Sequence, residues 1–159
     1  NIWGYLTLGY TAGKGVREGG SVGFDLVEVF TDGGARGNPG PAAIGVFVMG
    51  DKKELVKKAK CIGDATNNIA EYSALIESIK MIKDITCQKI VFKLDSELVV
   101  RQIIGQYKVK DDKIKPLYQS VIEGLSAINA PYEISHIRRE ENKIADSLVN
   151  LALDQGLNS

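Results

Sequence analysis

The order of the periodic segments in this sequence predicts an α/β fold. Three strand-like apolar runs lie close together between residues 26 and 63, and helical and strand-like segments then alternate to residue 156. The short links among the first three runs make them an antiparallel meander. The helical crossovers that follow require strands one, four and five to run parallel. Ligands of such sheets gather at the carboxyl ends of the parallel strands.

The elements follow in order. "LVEVFTD" reads as a buried strand ending at Asp32, "AAIGVFVMG" as the second strand and "LVKKAKCIG" as an edge strand beside it. "TNNIAEYSALIESIKMIKD" has helical period, with Ile69, Tyr72, Leu75, Ile76, Ile79 and Ile82 on one face. Thr66 or Asn67 can cap its start. "KIVFKLD" is a strand ending at Asp95, "SELVVRQIIG" a short helix closed by Gly105, and "IKPLYQSVIEGLSAI" another helix. "YEISHI" is the last strand, and "EENKIADSLVNLALDQG" a terminal helix stopped by Gly156.

A length of 159 residues suits one domain with a real core. No apolar run is long enough to span a bilayer, and no secretory signal pattern is present. Cys61 and Cys87 lie far apart, make no metal-type spacing and form no disulfide framework, so a reducing, cytoplasmic setting and inert thiols are expected. Residues 1–24, glycine-rich from residue 13, are expected to be an extension or linker, and residues 25–159 the catalytic domain.

The 20 Lys and Arg balance the 20 Asp and Glu, whereas nucleic-acid binders are usually basic. The cations are nevertheless clustered in "DKKELVKKAK", "YKVKDDKIK" and "IRREENK". The plain alternative is solvated faces and a lysine-protected edge strand.

Four acids stand out. Asp32 and Asp95 each end a parallel strand, and adjacent strands would bring them together. Glu71 lies four residues before Leu75 and eleven before Ile82, on the inward stripe of its helix. Asp146 lies near the start of the apolar terminal helix. Packed together, four carboxylates repel and some hold protons. Hard divalent ions remove that repulsion. Two such ions roughly 4 Å apart suit hydrolysis of a phosphodiester. Any one of these acids, taken alone, is more often a cap, a turn former or a surface charge.

"TDGGARGNPGPAAIG", "TNNIAEYSAL", "LDSELVVRQI" and "HIRREENKIAD" together resemble type 1 ribonuclease H, over about residues 25 to 155. The resemblance implies the ribonuclease H-like fold, a five-stranded mixed sheet in the order 3-2-1-4-5 flanked by helices. It implies two-metal cleavage, with Mg2+ or Mn2+, of the RNA strand of RNA–DNA hybrids, leaving 5′-phosphate and 3′-hydroxyl ends. The metal ligands would be Asp32, Glu71, Asp95 and Asp146. Asn38 would touch the RNA strand, Asn67 and Asn68 would read 2′-hydroxyls, and Thr66 would bind a phosphate of the DNA strand. His136 matches a mobile-loop histidine that protonates the leaving group or helps product release. It also falls within the last strand, where a structural role is the alternative. Arg139, in preference to Arg138, would hold a phosphate. A monomer is expected, with no membrane contact.

Two departures from the family pattern matter. No basic, tryptophan-rich arm fits between Asp95 and His136, so weaker hybrid binding is expected. Asp111 stands where relatives often carry an asparagine at the DNA phosphate. Trp3, Tyr5, Tyr10, Lys14 and Arg17 could supply a compensating surface. Two rival readings are a nuclease of the same fold acting on double-stranded RNA or junctions, and a catalytically silent nucleic-acid-binding module.

Overall fold

The computed structural model describes residues 23–158. The expected extension, with its aromatic residues, lies outside the described residues except for Gly23 and Phe24. Five strands form one mixed sheet: β1 (Phe24–Ala35), β2 (Gly40–Gly50), β3 (Lys53–Ala65), β4 (Cys87–Leu94) and β5 (Tyr132–His136). Their order is β3-β2-β1-β4-β5. β1, β2 and β3 pair antiparallel, and β1, β4 and β5 pair parallel. Four helices join them: α1 (Asn67–Met81), α2 (Glu97–Ile103), α3 (Lys115–Ser126) and α4 (Lys143–Gln155).

The main core lies on the sheet face that presents Val27, Val29, Val46, Val48, Phe92 and Leu94. Tyr72 and Leu75 of α1, Val99 and Val100 of α2, and Val121 and Leu125 of α3 fill it. Period-2 alternation turns Glu28, Phe30 and Asp32 to the opposite face. α4 packs on that face, where Val149 and Ala152 meet Ala43.

Two glycines set how closely the helices approach. A Cβ on Gly33 would collide with the backbone of Ala70 and Glu71 in α1. A Cβ on Gly45 would collide with the Ala145 carbonyl of α4. Gly45 pairs with Asp32, one residue before Gly33 on β1. The two helices therefore press on opposite faces at the same level of the sheet.

Three expectations about element ends need correction. β1 does not end at Asp32 but runs on to Ala35, paired with β2 alone. Gly33 and Gly34 look like turn residues in the sequence, but here they stay extended to admit α1. α1 ends at Met81 with Ile82 as its cap, short of Asp84. The terminal helix is interrupted: a single 3-10 turn (Arg139–Glu141) precedes α4, with Asn142 between them. Gly156 closes α4 in the left-handed conformation, as the sequence predicts.

Candidate active site

The parallel β1–β4 ladder ends at the pair Thr31 and Leu94. Asp32 and Asp95 are the next residues on the two chains, so neighbouring strands deliver two carboxylates at one level. α1 adds Glu71 from the core face, because its Thr66 cap starts the helix beside the β1 terminus. The Thr66 hydroxyl accepts from the Ile69 N–H at 3.2 Å, which settles Thr66 as the cap. Carboxylate oxygens of Asp32, Glu71 and Asp95 all lie within 4.8 Å of one another.

Asp146 is in the first turn of α4 and exposed, at the rim of this group. It is not part of the tight set of three, but its carboxyl lies close enough to Asp32 to help raise that acid.

The electrostatics are unfavourable for bare carboxylates. Burial, then the charges of Asp95 and Asp146, push Asp32 up to about 8, against the Gly33 N–H that favours its charged form. Burial, then Asp32 and Asp95, raise Glu71 well above the usual carboxylate range, opposed by the Gly33 N–H and the charge of Arg139. Glu71 Oε1 is buried and has no hydrogen-bond partner. A buried acceptor in that state is costly unless something binds it. Clustered hard oxygen donors with an unpaired buried member fit a divalent cation, so this cluster could hold a metal ion.

The other expected site residues surround the acids. His136 is exposed and is the last residue of β5, in register with Leu94, the residue before Asp95. It belongs to the strand rather than to a loop, because the β4–β5 ladder runs that far and the Ile137 N–H continues it to the Leu94 carbonyl at 2.9 Å. Arg139 and Arg138 separate clearly. The guanidinium of Arg138 faces Glu141 at 3.9 Å, whereas the charge of Arg139 reaches Glu71.

Asn38 and Asn67 form a clasp. Asn38 Oδ1 accepts from the Asn67 N–H and Asn67 Oδ1 accepts from the Ala35 N–H, both at 2.9 Å. Their acceptor oxygens are therefore engaged, and each presents its amide hydrogens. Asn68 is exposed beside them. Asp111 Oδ1 accepts from the Lys113 N–H at 2.8 Å, so this acid is a turn former before α3.

The sequence gives little notice of Asn142. It is buried and donates from Nδ2 to the Thr31 carbonyl at 2.8 Å and to Asp95 Oδ2 at 2.9 Å. The sequence reads it as one polar residue within the terminal helix, and only the fold reveals its burial. An apolar cavity of about 580 Å³, lined in part by Ile82, Ile85, Cys87 and Ile90, lies near the amino end of β4, far from the acids.

The family described as "Reverse transcriptase-like" matches residues 30–152. A ribonuclease H from Hydrogenovibrio crunogenus is 36% identical over 148 residues, covering 81% of this chain and 96% of that protein. The chain belongs to the ribonuclease H family. The ribonuclease HI of Halobacterium salinarum is 39% identical over 129 residues, 80% of this chain. This family member spans 64% of the halobacterial protein's length and 37% of the mycobacterial relatives it matches. LC11-RNase H1, solved in complex with an RNA/DNA hybrid, superposes with a TM-score of 0.77 at 38% identity, over 82% of this chain and 98% of that one.

Proposed function

We propose that this chain is a metal-dependent endoribonuclease that hydrolyses the RNA strand of RNA–DNA hybrids. The observation that carries the reading is the convergence of Asp32, Glu71 and Asp95, with a buried unpaired oxygen, at the carboxyl ends of β1 and β4. The relative solved with an RNA/DNA hybrid supports the substrate class.

In this reading Asp32, Glu71, Asp95 and Asp146 hold two ions, magnesium or manganese. When bound, the ions offset the charge that develops on the attacking water and the departing 3′-oxygen. The chain's own residues position and recognise. Water adds to phosphorus, the P–O3′ bond breaks, and 5′-phosphate and 3′-hydroxyl ends result. His136, in register with the residue before Asp95, gives a proton to the departing 3′-oxygen. Arg139 holds a phosphate oxygen of the RNA strand. Asn38 and Asn67 offer amide hydrogens to minor-groove acceptors of the RNA strand, 2′-hydroxyls among them, and Asn68 joins them. Thr66 contacts a DNA-strand phosphate as well as capping α1. Residues 25–159 act as the catalytic domain, as a cytoplasmic monomer, with residues 1–24 outside it. The free thiols Cys61 and Cys87 agree with a reducing compartment. No helix among the described residues is long and apolar enough to cross a membrane.

The test is a duplex with a labelled RNA strand and a DNA strand, incubated with magnesium, manganese or chelator beside all-DNA and all-RNA duplexes. Metal-dependent cutting of the hybrid's RNA alone is expected. Tight hybrid binding with no cutting under either metal would overturn the catalytic reading in favour of a silent binding module. Cutting of the all-RNA duplex would shift the substrate class.

A further inference from the structure

One residue outside the acid set is bonded to two of its members and to the residue before a third. The Asn142 side chain is 1% exposed, and both of its amide hydrogens are spent at the edge of the acid cluster. One goes to the carbonyl of Thr31, the residue before Asp32, and the other to Asp95 itself. The Asn142 carbonyl accepts from the Asp146 N–H at 3.1 Å, and its own N–H donates to the Arg139 carbonyl at 3.0 Å. A single residue thus bonds to Asp95, Asp146 and Arg139, and to Thr31, the residue before Asp32.

A helix cap alone does not explain this arrangement. A capping asparagine turns its side-chain oxygen onto the first helical amides, and Asn142 makes no such bond to α4. Its amide points away from the helix, towards β1 and β4. Its Oδ1 is buried without a partner, as is Thr31 Oγ1. Unpaired buried acceptors are rare in folded proteins. This one lies where the bond to Asp95 takes precedence over local satisfaction.

We propose that Asn142 is a positioning residue of the acid cluster. It fixes Asp95 through Oδ2 and leaves the second carboxylate oxygen free to ligate. It also ties the start of α4 to β1, so that Asp146 stands against Asp32. Neither act requires contact with substrate. The proposal rests on the acids being a metal centre, and groups that orient metal ligands affect both metal affinity and rate.

The test compares wild type with Asn142→Asp and Asn142→Ser. Aspartate keeps the shape, has no hydrogen to donate at neutral pH and faces Asp95 with like charge. Serine keeps one donor and is smaller. Mn2+ binding is measured without substrate, from the signal of the free ion. Folding is followed by thermal melting, and cleavage of the labelled hybrid by kcat and KM separately. Asn142→Asp is expected to weaken Mn2+ binding by about 10–100-fold and to lower kcat comparably, with KM within about twofold of wild type. Asn142→Ser is expected to weaken Mn2+ binding by about tenfold, and it decides the matter if the aspartate variant does not fold. A folded variant of either kind that binds Mn2+ and turns over like wild type, with only its melting temperature lowered, overturns the proposal and leaves Asn142 a fold-keeping residue. A wild type that neither binds Mn2+ nor cuts the hybrid overturns the metal-centre reading, and this proposal with it.

Discussion

Glu28 and Asp32 are two buried acids on one strand, four residues apart and on the same face of the sheet, and their surroundings are opposite. Glu28 is 4% exposed and lies between two lysines, with Lys93 at 2.7 Å and Lys52 at 3.1 Å. Burial alone would raise it, but those hydrogen bonds and charges more than offset burial and hold it below its usual range. Asp32 is 8% exposed, has no lysine or arginine bonded to it among the described residues, and faces other carboxylates, so it is held near 8. The same strand therefore carries an acid whose charge is neutralised within the fold and one whose charge no cationic side chain among the described residues offsets. A fold does not maintain the second arrangement for stability, since like charges at close range are destabilising. It fits a site built to receive a cation.

The largest effect expected from this contrast is on activity. Asp32→Asn should reduce hybrid cleavage by at least ~10³-fold, because a ligand to the ions is lost. In a metal-free buffer at about pH 8 and above, where Asp32 ionises, the same variant should melt higher than wild type, because repulsion is relieved; calorimetry and the cleavage assay read the two effects. Glu28→Gln should do the reverse. It strips two lysines, one of them largely exposed, of their partner and should cost about 1–2 kcal/mol in a urea titration, with kcat unchanged.

The two acids also predict opposite responses to pH. Asp32 ordinarily titrates near 3.8, and in the fold near 8. Between those values the folded state holds more protons than the unfolded one, so metal-free stability falls as pH rises. Glu28 has the lowered value, so its contribution is present above its ordinary range and is lost as pH falls through the lowered one. Metal-free melting should therefore drop by several degrees from about pH 5 to about pH 8. The Glu28→Gln variant should keep that alkaline slope and lose part of the acid one. A flat alkaline limb in wild type would mean that Asp32 is not raised.

The smallest effects concern the neighbouring loops. Asn67→Ala should cost about 1 kcal/mol, because the Ala35 N–H loses its acceptor, and it should raise KM for the hybrid more than it lowers kcat. Asp111→Asn should change stability by less than about 0.5 kcal/mol, since asparagine can still accept from the Lys113 N–H. It should tighten hybrid binding slightly by removing a negative charge.

Much of this was legible in the sequence because its signals are periodic. Alternation in "LVEVF" and helical spacing in "IAEYSALIESI" each encode burial in one dimension, and the crossovers then dictate which strands are parallel. That suffices to bring Asp32 and Asp95 to one level and to turn Glu71 inward. What stayed hidden depends on close approach between distant segments. Gly33 looks like a turn residue until α1 is packed against it. Asn142 looks like one more polar residue of the terminal helix until β1 and β4 lie beside it, 111 and 47 residues away in the chain. The clasp of Asn38 and Asn67 spans 29 residues, and it determines which half of each amide is free. Spacing alone carries none of these three contacts.

The most direct test of the contrast is the melting temperature of wild type and Asp32→Asn, each with and without Mg2+, at about pH 8, where the wild-type cluster is most strained. Mg2+ should raise the wild-type midpoint by several degrees, as a ligand of the folded state alone must. Asp32→Asn should start higher and respond little. Equal Mg2+ shifts in the two proteins, or none in wild type, would contradict the assignment of the Asp32 cluster as a cation site.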